Sequence, residues 1–219
     1  MTSDAPTVAT AAAPSRRDQI LTTAAELFAA RGFHGVSVAD LGAACGMSGP
    51  ALYKHFPSKD SLLAAMLVSI SEELLAVGRD RVKGAADPGA AVAALVDWHV
   101  DFALRHRALI VVQDRDWESL PADARERVRS LQREYVDLWA AELRRVHGAR
   151  RLDLDRARAM AHAAFGLINS TPHSARLPEP EMSAMLEQMA VGALGLDGGH
   201  DDRDVQGLLP RRPGPGAAG

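Results

Sequence analysis

Apolar residues recur along most of this chain at spacings of three and four, the signature of helices that each bury one face. Ile20, Ala24, Leu27 and Phe28 make the first such face. Ser15 precedes it with Asp18 three residues on, a pairing that caps a helix N-terminus reciprocally, and Gly32 and Gly35 close it. Ser37 with Asp40 opens a second helix that buries Val38, Leu41 and Cys45, and Gly46 supplies the turn after it. Ser48 opens a third, about Ser48 to His55, with Leu52 and Phe56 inward. Pro57 and Ser58 break the chain again, and Ser58 caps a long fourth helix with the stripe Leu62, Leu63, Met66, Leu67, Ile70 and Leu74.

Further helices are expected near 88–105, 106–114, 121–147, 153–174 and 180–196, with Pro88, Pro121 and Pro180 in first turns, where proline is tolerated. Alternating strand patterns are absent, β-branched residues are sparse and no internal repeat is found. The expected fold is all-α. Its parts are a disordered arm over 1–14, a three-helix unit over 15–60 with a helix-turn-helix at 37–56, a larger helical body over 61–197, and a disordered tail rich in Gly and Pro over 198–219.

Composition narrows the function. The 219 residues are 47% hydrophobic and 24% charged, a globular balance, and the formal net charge of −3 excludes a general basic coat for nucleic acid. Any DNA contact must come from a local arrangement of donors. One cysteine excludes an internal disulfide framework, and Cys45 on an apolar face reads as a small buried hydrophobe. No apolar run approaches the roughly 20 residues that span a bilayer. Met1 to Pro14 carries Asp4 and no basic start, unlike a signal peptide, so no membrane is expected and the expected location is the cytoplasm. The eight histidines show no metal-ligand spacing, and there is neither a Gly-rich phosphate loop nor a Gly-x-Ser-x-Gly elbow. An enzyme is therefore not expected, nor a metal or cofactor.

The segment from Ser37 to Lys59 carries the chemistry. A helix-turn-helix needs a short helix that fits the major groove, a rigid turn and phosphate anchors. The outward positions of the third helix are Gly49, Pro50, Ala51, Tyr53, Lys54 and His55. The small residues permit close approach to base edges, and Pro50 and Ala51 can touch thymine methyls. Tyr53 and His55 carry polar tips, and Lys54 is the one long cation of this helix. Ser37, Ser48 and Lys59 sit at helix N-termini, where N–H groups and the dipole favour a phosphate. Lys59 in a first turn opposes the dipole by a few tenths to about 1 kcal/mol, a penalty that a bound phosphate would reverse.

These residues resemble the TetR (TetR/AcrR) family of bacterial regulators. The matching features are Ile20-Leu21-x-x-Ala24-x-x-Leu27-Phe28-x-x-x-Gly32-Phe33, then Ser37-Val38-x-Asp40-Leu41 with Gly46-Met47-Ser48, then Leu52-Tyr53-x-His55-Phe56-x-Ser58-Lys59-x-x-Leu62. The resemblance covers roughly residues 15–65. It implies a three-helix DNA-binding domain on a helical ligand-binding and dimerisation domain, with Ser37, Ser48, Tyr53, His55 and Lys59 on DNA. Gly49-Pro50 departs from the Lys or Arg that many members carry there, which leaves the operator sequence open.

The body holds the candidate sensing residues. Trp98, His99, Phe102 and His106 put aromatic and imidazole groups on one helix face, of which Trp98, Phe102 and His106 are the ligand candidates, and Trp117 follows in a connection. Tyr135 and Trp139 form a second aromatic face, and Phe165, Asn169 and His173 recur every four residues on an otherwise small, apolar helix. The aromatics also suit an ordinary core. A polar group on an apolar face is costly unless paired, so Asn169 and His173 need a partner in a dimer, a neighbouring helix or a ligand. Small and flexible residues of the last two helices, such as Ala161, Gly166, Met185 and Met189, suit a homodimer interface. The reading is a dimeric regulator, most simply a repressor released from a palindromic double-stranded operator by a small apolar or amphipathic effector. A constitutive DNA-binding dimer and a ligand-dependent activator are its alternatives.

Overall fold

A computed structural model describes residues 15–174 and 176–196, so the expected arm over 1–14 and tail over 198–219 lie outside the described residues. Among these, all regular structure is helical. The helices are α1 (Arg16–Arg31), α2 (Val38–Ala44), α3 (Gly49–Tyr53), α4 (Lys59–Gly84), α5 (Pro88–Arg105), α6 (Arg107–Asp116), α7 (Ala122–His147), α8 (Leu154–Ile168), α9 (Thr171–Ser174) and α10 (Glu179–Ala193), with a single 3-10 turn over Trp117–Ser119.

The local signals act as their chemistry requires. Ser15, Ser37, Ser48 and Ser58 are the N-caps of α1 to α4, and Ser15 and Ser37 are in reciprocal boxes with Asp18 and Asp40. Gly32 and Gly46 take the positive φ values of 78° and 64° that turn the chain after α1 and α2.

Two cores divide the molecule, and α4 belongs to both. Phe28, Leu41, Leu52 and Phe56 of the head pack with Leu62, Leu63, Met66 and Leu67 of α4, and with Val112, Leu120 and Val128 from the body. The second core joins α4, α5, α7, α8 and α10 around Val92, Leu95, Trp139, Leu143 and Ala161. A boundary drawn between 60 and 61 would thus cut one helix that serves both parts. By length and mean hydropathy Lys59–Gly84 is apolar enough to cross a membrane, although Glu72 and Glu73 interrupt its apolar run. Its apolar stripe is the side that fills both cores, while Glu72, Glu73, Arg79 and Asp80 are exposed.

At the crossing of α4 and α7, a Cβ on Gly78 would stand 2.7 Å from Tyr135 Cε2. The glycine lets Tyr135 lie against the α4 backbone. The single helix expected over 153–174 is instead two: α8 ends at Ile168, Asn169 caps it, and α9 restarts at Thr171. Pro121 is the N-cap of α7 rather than a residue of its first turn.

Candidate DNA interface and ligand cavity

The helix-turn-helix is compact because glycine removes a side chain where α2 meets the next segment. A Cβ on Gly42 would lie 2.8 Å from Met47 O and 3.4 Å from Gly49 N. The helical part of α3 stops at Tyr53, with Lys54 as its C-cap, so Lys54 and His55 stand beyond the helix expected to carry them. Pro50, Tyr53, Lys54 and His55 are exposed, as are Ser37 and Ser48, while Gly49 and Ala51 are half-buried. Tyr53 is 49% exposed, unusual for an aromatic side chain beside a core.

Three cations of this region are tied to backbone carbonyls. Lys59 Nζ donates to Phe33 O at 2.8 Å and Val36 O at 2.9 Å, and lies 4.3 Å from the centre of the Phe33 ring. Its position at the head of α4 is thereby explained without a phosphate: the ammonium neutralises carbonyls of the α1–α2 loop. Arg16 Nη2 donates to Cys45 O at 2.5 Å, bracing the end of α2. Arg17 Nη1 donates to His55 O at 3.2 Å, and its guanidinium covers the Phe56 ring at 4.3 Å. Neither arginine was a sequence candidate. Their position in the first turn of α1 carries no pattern that marks a brace. Cys45 is half-buried, and burial pushes its thiol upward, as a small hydrophobe requires.

In the body, α4 to α8 enclose a cavity of about 260 Å³. Of the expected residues, Phe102, Tyr135, Phe165 and Asn169 line it. The others do not. Trp98 packs with Ile70 and Phe102 and donates from Nε1 to Leu74 O at 3.1 Å. His106 is the junction of α5 and α6, its ring 4.9 Å from that of Phe102. Trp117 belongs to the head's core, and Trp139 is fully buried behind the cavity wall. His173 is exposed on α9, because the turn after α8 rotates it out of register with Phe165 and Asn169.

The centre of this wall is His99, which the sequence reading did not select as a ligand residue. It is 3% exposed. Its Nε2 lies 3.2 Å from Asn169 Oδ1 and its Nδ1 3.3 Å from Tyr135 Oη. A neutral imidazole that donates from Nε2 and accepts at Nδ1 satisfies both. Burial pushes the His99 pKa down to about 4 despite the Asn169 hydrogen bond, which acts the other way. The ring stacks on Phe165 at 4.6 Å and Tyr135 at 5.7 Å, and Trp139 meets it edge-on at 6.0 Å. Burial likewise raises the Tyr135 pKa, so its hydroxyl keeps the proton that His99 accepts. Gln113, Asp114, Gln132, Ser71 and His162 complete the polar part of the lining.

Besides α4, whose Ile70, Ser71 and Leu74 line the cavity, α6 touches both sites. Leu109, Ile110, Gln113 and Asp114 of α6 line the cavity. At the end of α6, Arg115 donates to the carbonyls of Phe28 and Ala29, and Asp116 Oδ1 accepts from Phe33 N at 3.3 Å. The last turn of α1 is thus held by the last turn of α6.

Residues 20–66 match the family described as bacterial regulatory proteins, tetR family, and residues 85–173 match a tetracyclin repressor-like C-terminal domain. The chain belongs to the TetR family of transcriptional regulators, whose members are not enzymes. It is 30% identical over 129 residues to the HTH-type transcriptional repressor KstR2 of Rhodococcus jostii, a stretch covering 58% of this chain and 63% of that protein. The chain therefore spans somewhat under two thirds of that curated relative. A TetR-family regulator from Bordetella parapertussis superposes with a TM-score of 0.71 at 25% identity, covering 80% of this chain and 93% of that one. FadR from Bacillus subtilis, solved in complex with stearoyl-CoA, shares the fold with a TM-score of 0.63 at 16% identity, covering 80% and 97%.

Proposed function

We propose that the protein is a cytoplasmic, dimeric repressor that leaves a palindromic operator when a small, mostly apolar ligand enters the cavity of the body. The observation that carries this reading is α6, which supplies part of the cavity wall and ends on the backbone of α1. A ligand that prefers one position of α6 also prefers one position of the head, and this differential affinity is what a ligand-released regulator requires. FadR supports the architecture's ability to hold an acyl ligand; for this chain the choice rests on its own lining.

On the DNA side, Ser37, Ser48, Gly49, Pro50, Ala51, Tyr53, Lys54 and His55 form the contact surface, and Lys59 positions it. A five-residue reading helix contacts too few base pairs for specific binding, so two copies on one operator are needed. The exposed small and flexible residues of α8 and α10 suit pairing of the copies: Ala163 and Gly166 on α8, Met185 and Met189 on α10, the last 50% exposed.

The test is a gel shift of the purified protein on DNA upstream of its own gene, with and without a metabolite extract. A specific shift that the extract dissolves is expected. A shift indifferent to extract would overturn ligand release and leave a constitutive DNA-binding dimer.

A further inference from the structure

If the cavity is the effector site, as the proposed function has it, its charge and shape narrow the class of ligand further. No lysine or arginine is among its lining residues. The arginines of the nearby α4 and α7 surface are already matched, Arg79 with Glu134 at 2.6 Å and Arg127 with Glu72 at 2.8 Å. His99, the most buried polar group of the wall, is neutral around ordinary pH. The one formal charge in the lining is a carboxylate, Asp114. An anion placed inside would lose its hydration and gain no counter-charge.

What the wall offers instead is aromatic and uncharged. The rings of His99, Tyr135 and Phe165 are parallel to within 17°. Beside them, the side-chain amides of Gln113 and Gln132 are half-buried and have no hydrogen-bond partner among the described residues. Each offers one acceptor and two donors, the complement of a carbonyl or hydroxyl group. We infer that the cavity selects an uncharged, planar ring system bearing carbonyl or hydroxyl groups, and excludes carboxylates and sulfonates from its interior.

Two fluorescent probes with one skeleton test this directly: neutral N-phenyl-naphthylamine and its sulfonated counterpart, anilinonaphthalene sulfonate. Titrated into the intact protein without DNA, the neutral probe should bind saturably and at least about tenfold more tightly than the sulfonate. Val136→Phe, which fills the cavity from its α7 wall, should abolish the neutral probe's signal. Gln132→Lys introduces a cation into the wall and should raise sulfonate affinity by about tenfold. Competitive sulfonate binding as tight as that of the neutral probe in the unaltered protein would overturn the inference. So would binding indifferent to both substitutions, or no binding of either probe. Such failures leave the gel shift unaffected, so loss of this inference is distinguishable from loss of the regulator reading.

Discussion

Around the helix-turn-helix, Arg16, Arg17 and Lys59 each donate to a carbonyl at the end of a neighbouring segment. Around the cavity, Gln113 and Gln132 have no partner among the described residues, and the one deeply buried imidazole is held neutral among rings. In the head these three cations are tied to backbone carbonyls, which on the proposed function leaves mainly Lys54 and polar tips to face DNA. The body keeps polar capacity in reserve. A basic residue in a DNA-binding unit can thus be spent on a neighbouring carbonyl, whereas an uncommitted amide in an apolar wall still has hydrogen bonds to give.

Adding one methyl group to the head should have the largest effect. Gly42→Ala forces α2 away from the Met47 carbonyl, an overpacking cost of about 1–3 kcal/mol. It should lower operator affinity by up to the order of a hundredfold. Binding of the neutral probe to the body should persist; equal damage to both would show that head and cavity are not separately built.

A second test addresses the body alone. The folded state holds His99 down at about 4, against an ordinary value of 6.5, so below the ordinary value the unfolded chain takes up a proton that the native chain refuses. Stability from this group is complete above the ordinary value and is lost as pH falls towards the lowered one, by about 3 kcal/mol in all. Urea melts near neutrality and under mildly acidic conditions should show that loss, and His99→Gln should diminish it. Matching pH dependence in the two proteins would mean that the imidazole is not held neutral.

The inward role of Lys59 is checked by salt. Lys59→Ala should weaken operator binding by about tenfold through loss of its charged hydrogen bonds, with the slope of log affinity against log salt unchanged. Lys54→Ala should instead reduce that slope by about one. A reduced slope for Lys59→Ala would return that residue to the DNA surface. The smallest effect is expected of Tyr53→Phe, which removes one exposed hydroxyl and should cost operator affinity about 0.5–1.5 kcal/mol. No change in the gel shift would remove this hydroxyl from the contact surface.

Local chemistry explains which parts were legible in the sequence. The serine caps, the turn glycines and the stripe of α4 depend on residues within a few positions of each other, and the structure has them where the pattern puts them. The cavity is assembled from five helices, and no single stretch records it. Helix α5 is buried nearly all round, so periodicity could not show that His99 rather than Trp98 faces the wall. His173 fits the four-residue rhythm of Phe165 and Asn169 only if the helix continues through Ser170, and it does not. Lys59 reads as a phosphate anchor and Arg16 and Arg17 attract no reading at all, because a carbonyl partner distant in sequence leaves no local trace.

The grip of Arg115 and Asp116 on α1 has a consequence for measurement. Helix α6 is 10 residues long, about 15 Å, and joins the cavity wall to the head as one rigid strut. On the proposed function, thermodynamic linkage then runs in both directions. The operator becomes an effector of the cavity: whatever factor the ligand removes from DNA affinity, bound DNA removes from ligand affinity. A dissociation constant measured on the free protein describes only half of this equilibrium. The other half is set by how much operator is present.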